Sequence, residues 1–336
     1  MSDAAAERRR ELKRRIYGYR VAQAIGAATE LALPDHLGDA ALAIDELAAA
    51  CGADPGALER LLAALAEIGI VEPRDGGWAL TPLGEPLRAD TADSLRAETL
   101  HALADSTWRP WGRLADAVRS GTPAFALEFG SSAWEYRAAH PLARQRFDAM
   151  ASERSRAENA AILAVLEPPA TGLVVDVGGG EGELLAALLD RWPRLSGLLF
   201  EQPEVVAAAR RRLERAGLAG RCRAEAGDFF RDVPAGGALY LLKAVLHNWS
   251  DADASRLLAV CRRALAPGAR LVVVETLADR PALAGAELQD LHMLVVHGGR
   301  ERTAAALERL LVGAGLRCVA IRPTGEGPCL IEAVGD

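Results

Sequence analysis

The chain has 336 residues, half of them hydrophobic and a quarter charged, a globular composition that excludes a disordered, collagen-like or disulfide-dense protein. A domain typically spans roughly 100 to 200 residues, so this length predicts two domains, or one large domain with a smaller attachment. The formal charge of −7 and the pI near 5.5 argue against a protein that lives on nucleic acid or anionic membranes. They favour a small-molecule partner.

The cysteines are scattered along the chain. They are Cys51, Cys222, Cys261, Cys318 and Cys329. Their number is odd and no two form a Cys-x-x-Cys pair, so the sequence predicts neither a disulfide framework nor a zinc site. We therefore expect a protein of the reducing cytoplasm.

The first 31 residues read as an amphipathic helix over residues 4–31. Its basic run, residues 8–15, is expected to be a solvated face, with lipid or nucleic-acid contact as the alternative. The stretch behind it contains Arg20, Gln23 and Glu30 and is too polar for a signal-peptide core or a membrane span. We expect no export and no membrane partner.

Residues 34–88 combine helical spacing with a hairpin. Apolar residues at helical intervals predict one short helix before Cys51 and a second after the start signal Asp54-Pro55. Residues 70–72 and 78–80 flank the turn at 75–77, as in the wing of a winged-helix module. DNA binding is one function of that shape, but the second helix would expose Glu59 and Glu67, which repel phosphates. A packing or dimerisation module is the preferred interpretation.

Residues 94–166 are predicted to be helical and carry most of the large aromatic side chains. These are Trp108, Trp111, Phe125, Phe129, Trp134, Tyr136 and Phe147. Aromatic residues at helical spacing usually form core, yet their concentration in a chain with 5% aromatic residues suits a pocket for a flat apolar substrate.

After Pro168-Pro169 the pattern changes to strands that alternate with helices. The predicted strands span 173–177, 197–200, 221–225, 238–242, 270–275, 316–321 and 329–334. Alternation of this kind predicts a doubly wound parallel sheet. The connection at 324–328 is too short for a helical crossover, so the last two strands should be antiparallel.

The first of these strands runs into a glycine-rich turn. The segment from Asp176 continues as Val-Gly-Gly-Gly-Glu-Gly and then enters a helix, which lets the backbone approach a ligand at a helix N-terminus. The dinucleotide fingerprint would want glycine at position 183, where this chain has Glu183. Glu181 and Glu183 should repel a pyrophosphate, whereas S-adenosylmethionine carries an ammonium and a sulfonium and no phosphate. We therefore predict S-adenosylmethionine as the cofactor.

Two further acids follow later strands in order. Glu201 closes the second strand, 25 residues after Asp176, where a carboxylate can accept both ribose hydroxyls. Asp228 follows the third strand and could accept the adenine amino group while Phe229 packs on the ring. Either acid could instead be a solvated strand-end residue.

A histidine emerges at the end of the fourth strand. His247 would lie at the carboxyl edge of the sheet, where open α/β sheets bind ligands. A phenol, with a pKa near ~10, needs a base at neutral pH, and a histidine can supply it. Glu275 closes the next strand and Glu301 follows a glycine pair, so both could orient the imidazole. His292 and His297 are weaker candidates, and a structural role is the alternative for His247.

From about Leu31 onward the chain resembles the S-adenosylmethionine-dependent O-methyltransferases of the plant caffeate and hydroxyindole type, particularly bacterial members that act on aromatic natural products. The resemblance rests on Asp-Val-Gly-Gly-Gly-x-Gly, Gly-Asp-Phe-Phe, His-x-Trp-Ser-Asp and Gly-Gly-Arg-Glu-Arg-Thr, which occur in the family's order. It implies a doubly wound, Rossmann-like methyltransferase sheet with a last antiparallel strand, an N-terminal helical winged-helix dimerisation domain, a homodimer and metal-free chemistry. The corresponding division of the chain is 1–93, 94–168 and 169–336.

The resemblance also assigns roles to single residues. It makes His247 the general base, with Glu275 and Glu301 as its orienting pair. The implied cofactor-binding residues are Ser155, Asp176, Gly178, Gly180, Glu201, Asp228, Phe229 and Lys243. The predicted substrate-pocket residues are Trp108, Phe147, Met150, Asn248 and His292.

The expected function is methylation of a hydroxyl on an aromatic small molecule. Two departures from the family's pattern are Glu201 in place of Asp, which keeps the charge, and Asn248 in place of Asp, which weakens a catechol-specific interpretation. Two other functions stay open: hydroxylation or decarboxylation by a relative that uses the same cofactor, and sensing of a small molecule by a winged-helix regulator. Nitrogen and carbon acceptors also stay open.

Overall fold

The computed structural model describes residues 3–280, 286–325 and 327–335, and the chain divides into two compact units, residues 1–108 and 109–336. The predicted boundaries at residues 93 and 168 stay predictions. Within the described residues, none of the helices is long and apolar enough to span a membrane.

The first unit contains helices and one hairpin. Its elements are α1 Asp3–Ile16, α2 Gly18–Glu30, α3 Leu33–Leu37, α4 Ile44–Cys51, α5 Pro55–Glu67, β1 Val71–Arg74, β2 Gly77–Leu80, a 3-10 turn Glu85–Leu87 and α6 Arg96–Ala102, while α7 Asp105–Trp111 reaches into the second unit. The helix predicted over residues 4–31 is divided into α1 and α2 at Tyr17, which is a correction.

The hairpin forms as the sequence predicts. β1 and β2 pair antiparallel around a two-residue turn in which Asp75 and Gly76 both have positive φ, 49° and 79°. Positive φ at both positions matches the strand twist, which is why glycine and aspartate are favoured there. On α5, buried leucines pack inward while Glu59, Arg60 and Glu67 are exposed, so the predicted outer face is confirmed.

The second unit places helices around a seven-stranded sheet. Its elements are α8 Leu114–Ser120, α9 Ala124–Phe129, α10 Ala133–Ala139, α11 Pro141–Val165, β3 Gly172–Val177, α12 Glu183–Arg191, β4 Leu195–Glu201, α13 Pro203–Arg215, β5 Cys222–Ala226, β6 Leu239–Lys243, a 3-10 turn Leu246–Asn248, α14 Asp251–Ala264, β7 Arg270–Glu275, α15 Ala286–Val296, α16 Ala304–Gly313, β8 Leu316–Pro323 and β9 Cys329–Gly335.

The sheet order is β5-β4-β3-β6-β7-β9-β8, and β9 runs antiparallel to both of its neighbours. This confirms the doubly wound sheet with an antiparallel last strand. In the predicted connection at 324–328, Glu326 lies outside the described residues. Because β3, β4 and β6 are parallel, their carboxyl ends bring Asp176, Glu201 and Lys243 to one edge of the sheet.

Candidate active site

The glycine turn lies between β3 and α12. Gly178 has φ +72°, and a Cβ there would lie 3.1 Å from Cγ2 of Val245 and 3.4 Å from the ring of Phe229. At Gly179 a Cβ would lie 2.2 Å from Oδ2 of Asp176. The turn therefore closes directly over Asp176, and only glycine fits at these two positions.

Asp176 is buried beneath the turn. It is 1% exposed, and neither of its carboxylate oxygens has a hydrogen-bond partner among the described residues. Burial raises the pKa of Asp176 to about 7, while the charge of Lys243 acts in the opposite direction. A buried acid without a partner is unfavourable unless a ligand donates to it, so this position fits a cofactor that carries cationic or donor groups.

The charge argument for the cofactor needs one correction. Glu183 is buried at the start of α12, where Arg156 lies 3.0 Å from Oε1 and Arg212 pairs with Oε2. The carboxylate is therefore compensated, and the expectation that it repels a pyrophosphate is wrong. Glu181 alone carries that argument.

The two later acids have different surroundings. Glu201 ends β4 beside β3, and its carboxylate accepts a hydrogen bond from the backbone N–H of Gln202 at 2.5 Å. Burial raises the pKa of Glu201 to about 7, against that hydrogen bond. Asp228 is exposed after β5 and accepts from the N–H of Phe230 at 2.9 Å. The ring of Phe229, the next residue, approaches Gly178, so the glycine turn and Phe229 face the same space.

A basic group that the sequence interpretation missed lies near Glu201. Nε of Arg144 is 3.0 Å from Oδ2 of Asp148, one helical turn further along α11, and its Nη1 is buried without a hydrogen-bond partner in the described part of the chain. Arg144 lowers and Asp148 raises the pKa of Glu201, which places both near that carboxylate. The i,i+4 spacing was visible, but the sequence did not say which face of α11 points at the sheet.

Lys243 and Ser155 take part in the contacts between α11 and neighbouring elements. Nζ of Lys243, at the end of β6, lies 2.7 Å from Oε2 of Glu158. Ser155 is buried and donates to Oδ1 of Asn159 at 3.3 Å, and Asn159 donates to the backbone oxygen of Glu183 at 3.2 Å. These contacts attach α11 to the sheet edge and to the first turn of α12.

His247 lies in the 3-10 turn after β6, directly above two carboxylates. Its Nδ1 is 3.0 Å from Oε1 of Glu301 and 3.6 Å from Oε2 of Glu275. Oε1 of Glu275 accepts the backbone N–H groups of Leu246 at 2.8 Å and of His247 at 3.2 Å. Glu275 therefore holds the backbone of the turn as well as facing the ring, and Glu301 makes the direct ring contact.

Opposing influences set the protonation of this histidine. Burial lowers the pKa of His247, but the charge of Glu275 and the hydrogen bond that Nδ1 donates to Glu301 outweigh it, so the pKa is raised. Because Nδ1 faces Glu301, the proton of the neutral ring lies on Nδ1 and the lone pair on Nε2. Such a ring can accept a proton at Nε2.

The segments that carry His247 and Glu301 are clamped together. Arg302 is buried and donates to Oδ1 of Asp251 at 2.9 Å and to the backbone oxygens of Leu246 at 2.8 Å and Trp249 at 2.7 Å. A Cβ at Gly299 would lie 2.0 Å from the backbone oxygen of His247. This close approach explains the glycine in the Gly-Gly-Arg-Glu-Arg-Thr segment, and sequence reasoning did not assign Arg302.

The predicted pocket residues lie on different elements of the chain. Phe147 and Met150 are half-buried on α11, and His292 stacks on Trp111 with ring centroids 6.0 Å apart. Burial lowers the pKa of His292 to about 4, so the ring is neutral at pH 7. The side chain of Asn248 donates to the backbone oxygen of Ala244 at 3.0 Å. Trp108 is the last residue of the first unit and is half-buried there.

Comparison with known proteins assigns the class. Residues 111–317 match the O-methyltransferase domain family, and residues 14–89 match the O-methyltransferase dimerisation domain. The phenazine O-methyltransferase PhzM of Lysobacter antibioticus is 36% identical over 323 residues, 95% of this chain and 94% of that protein. The O-demethylpuromycin-O-methyltransferase of Streptomyces alboniger is 39% identical over 327 residues, 95% of this chain and 87% of that protein.

A similar protein has been solved with its ligands bound. The O-methyltransferase NcsB1 from neocarzinostatin biosynthesis, in complex with S-adenosylmethionine and 2-hydroxy-5-methyl naphthoic acid, superposes with a TM-score of 0.82 at 34% identity. The match covers 94% of this chain and 96% of that one. The chain therefore belongs to the O-methyltransferase family that carries this dimerisation domain. It is an S-adenosylmethionine-dependent enzyme of the branch that serves aromatic natural-product biosynthesis.

Proposed function

We propose that the enzyme transfers a methyl group to a hydroxyl of an aromatic small molecule, without a metal, as a homodimer of the cytoplasm. The observation that carries the proposal is the contact of 3.0 Å between Nδ1 of His247 and Glu301, with Glu275 beside it. This contact leaves Nε2 as an acceptor for the proton of a hydroxyl.

The cofactor contacts follow from the groups at the sheet edge. Gly178 and Gly180 would line the bound cofactor, Glu201 would accept the ribose hydroxyls, and Asp228 and Phe229 would hold the adenine.

Its polar end would meet four other side chains. Asp176 has two unpaired oxygens for an ammonium group, and Arg144 has an unpaired Nη1 for the methionine carboxylate. Ser155 on α11 and Lys243 at the end of β6 would complete the set.

The chemistry of the chain's own residues is positioning and proton transfer. When bound, S-adenosylmethionine supplies an electrophilic methyl carbon next to a sulfonium. His247 accepts the proton of the acceptor hydroxyl at Nε2, and Glu301 and Glu275 stabilise the imidazolium that results. Arg302 and Gly299 keep the imidazole and its carboxylates in register. Positioning supplies most of the rate increase, since well-oriented reactants gain about 7 to 11 kcal/mol.

The acceptor is proposed to be flat and aromatic. Phe147, Met150, Asn248 and His292 would line its pocket. The names of the relatives point the same way, because they describe methylation of a phenazine and binding of a naphthoic acid.

Replacement of His247 tests the base. His247→Ala should lower kcat roughly 10²- to 10⁴-fold because the hydroxyl keeps its proton, while the affinity for S-adenosylhomocysteine stays nearly unchanged. Single-turnover rates and calorimetry measure the two effects separately. An unchanged rate would remove His247 from the mechanism.

The reaction class is tested by product mass. The enzyme, S-adenosylmethionine and a chelator are incubated with a panel of phenolic polyketides, naphthoates and indoles. A gain of one methyl group that persists with the chelator supports the proposal. A gain of oxygen, a loss of carbon dioxide or a metal requirement contradicts it.

A further inference from the structure

A buried arginine beside the proposed pocket has no counter-ion of its own among the residues that the structure describes. Arg137 on α10 is 4% exposed, and its guanidinium lies over the ring of Phe147 at 3.9 Å from the centroid and over Trp134 at 5.0 Å. Its Nη1 is fully buried, and the guanidinium makes no hydrogen bond or ion pair with any described residue.

This arrangement is unfavourable unless something completes it. A buried guanidinium normally has a carboxylate partner because its desolvation is costly. Burial lowers the pKa of Arg137 to about 9, so the group is still a cation at neutral pH. The nearby acid Asp148 already pairs with Arg144 at 3.0 Å. Stacking on Phe147 holds the guanidinium plane, and the buried Nη1 has no hydrogen-bond acceptor among the described residues.

The positive charge of Arg137 acts on a predicted pocket residue, His292. After burial, the positive charges of Arg137 and Arg154 are the largest influences that lower the pKa of His292. Arg154 also acts on His247 in the same direction. Both arginines therefore lie near the predicted pocket residue His292, and Arg154 also lies near the proposed base.

Arg154 belongs to the same face of α11 as the pocket residues. It follows Phe147 by seven residues and Met150 by four, the spacing that aligns side chains along one helix face. It forms no ion pair with the described residues. Both arginines thus leave unpaired positive charge beside the position where the acceptor is proposed to lie.

We propose that Arg137, assisted by Arg154, binds an anionic group of the acceptor, so that the substrate class is the hydroxyaromatic carboxylates. The inference rests on the proposed function and narrows it. A carboxylate matches the planar donor edge of a guanidinium and accepts two hydrogen bonds from it. The same two cations would repel a protonated amine, which makes a cationic acceptor unfavourable.

The test compares an acid with its neutral amide. Calorimetry measures binding of 3-hydroxy-2-naphthoate and 3-hydroxy-2-naphthamide to the full-length enzyme saturated with S-adenosylhomocysteine. The wild-type enzyme should bind the acid roughly 10- to 100-fold more tightly than the amide, the range for hydrogen bonds to charged groups. Arg137→Met should reduce that ratio to near one, Arg137→Lys should restore part of it, and the exposed control Arg194→Met should leave it unchanged.

The outcomes separate this inference from the proposed function. Equal binding of acid and amide by the wild type, no binding of either, or an unchanged ratio in Arg137→Met overturns the inference. If Arg137→Met instead loses affinity for S-adenosylhomocysteine, the arginine serves the cofactor's carboxylate and the inference is wrong. Methyl transfer to the amide at an undiminished rate would leave the proposed function standing, whereas failure to methylate any hydroxyaromatic compound would remove the function itself.

Discussion

At the scale of single residues, the imidazole of His247 is the point where several influences meet. Burial opposes the charged form, and the carboxylates of Glu275 and Glu301 favour it more strongly, so the pKa is raised above its ordinary value of about 6.5. A general base must be neutral to act. The rate kcat/KM should therefore fall as the pH decreases through this raised pKa.

Removal of one carboxylate charge should shift the pH range over which kcat/KM falls. Glu301→Gln removes the negative charge that raises the pKa of His247 and leaves only a neutral amide oxygen as the hydrogen-bond acceptor, so the acid limb of the kcat/KM profile should shift to lower pH. The exposed carboxylate of Glu308 on α16 offers a control, and Glu308→Gln should leave the profile in place. A limb that shifts upward, or that does not respond, would mean that Glu301 does not set the pKa of the base.

Asp176 makes the stability of the folded chain depend on pH. Its folded pKa of about 7 lies above the unfolded value of about 3.9, so the protonated form is favoured by folding. The stabilisation is complete below the unfolded value and is lost as the pH rises toward 7. Asp176→Asn should therefore raise the melting temperature of the ligand-free enzyme by a few degrees at pH 8 and leave it nearly unchanged at pH 4.

The same substitution should weaken binding of the cofactor. An amide has no charge to offer an ammonium group, so the affinity for S-adenosylmethionine should fall roughly tenfold or more while the melting temperature rises. Thermal melts across pH and calorimetry on the same samples measure both effects. A variant that melts lower at pH 8 would contradict the assignment of a neutral buried acid.

At the scale of elements, the sheet was predictable and the helical pocket was not. A strand reads as a local apolar run bounded by turn residues, and the strands from β3 onward form within about two residues of the predicted bounds. Asp176, Glu201 and His247 follow from those strands, because parallel strands bring their carboxyl ends to one edge.

The groups that sequence reasoning missed come from α10 and α11. On these helices aromatic and basic residues occur on several faces, so periodicity does not say which face meets the sheet. Arg144 and Arg137 become identifiable only when the packing shows a buried donor without a partner. Arg302 was missed for a related reason: its hydrogen bonds join two segments that are distant in the sequence, so no local sequence pattern indicates them.

The glycine turn offers a test at this scale. In Gly179→Ala the new Cβ would meet the carboxylate of Asp176, so the turn must shift and the affinity for S-adenosylhomocysteine should fall at least about tenfold. Gly217 provides a matched control, with φ +70° and open space where a methyl group would point. Gly217→Ala should cost about 1 to 2 kcal/mol of stability without affecting the affinity. Equal affinities for the two variants would show that the turn does not shape the cofactor site.

At the scale of the whole molecule, charge and family agree on a small-molecule enzyme. The net charge of −7 and the exposed acids on α5 are unfavourable for DNA, although the first unit has a helix-and-wing shape. The match of residues 14–89 to a dimerisation domain accounts for that shape without nucleic acid. The first unit should thus not bind DNA even at low salt.

The proposed homodimer gives the last prediction. Several apolar side chains of α1 and α2 are exposed, among them Ile16 at 58% and Val21 at 42%. A cluster of exposed apolar side chains is typical of a surface that binds a partner. The double substitution Ile16→Glu and Val21→Glu would place two charges in such an interface, at a cost of several kcal/mol once they are desolvated. Sedimentation velocity should then detect a monomer of 35.5 kDa, whereas the wild type should sediment as a dimer.

The control for this prediction lies on the other unit. Val312 on α16 is exposed to 67%, more than either substituted residue, so Val312→Glu tests whether any exposed apolar residue has the same effect. It should leave the dimer intact. Circular dichroism on each variant separates dissociation from unfolding, because a folded monomer keeps its helical signal. If the double variant stays dimeric, the two helices do not form the interface, and if the wild type is monomeric, the proposed homodimer is wrong.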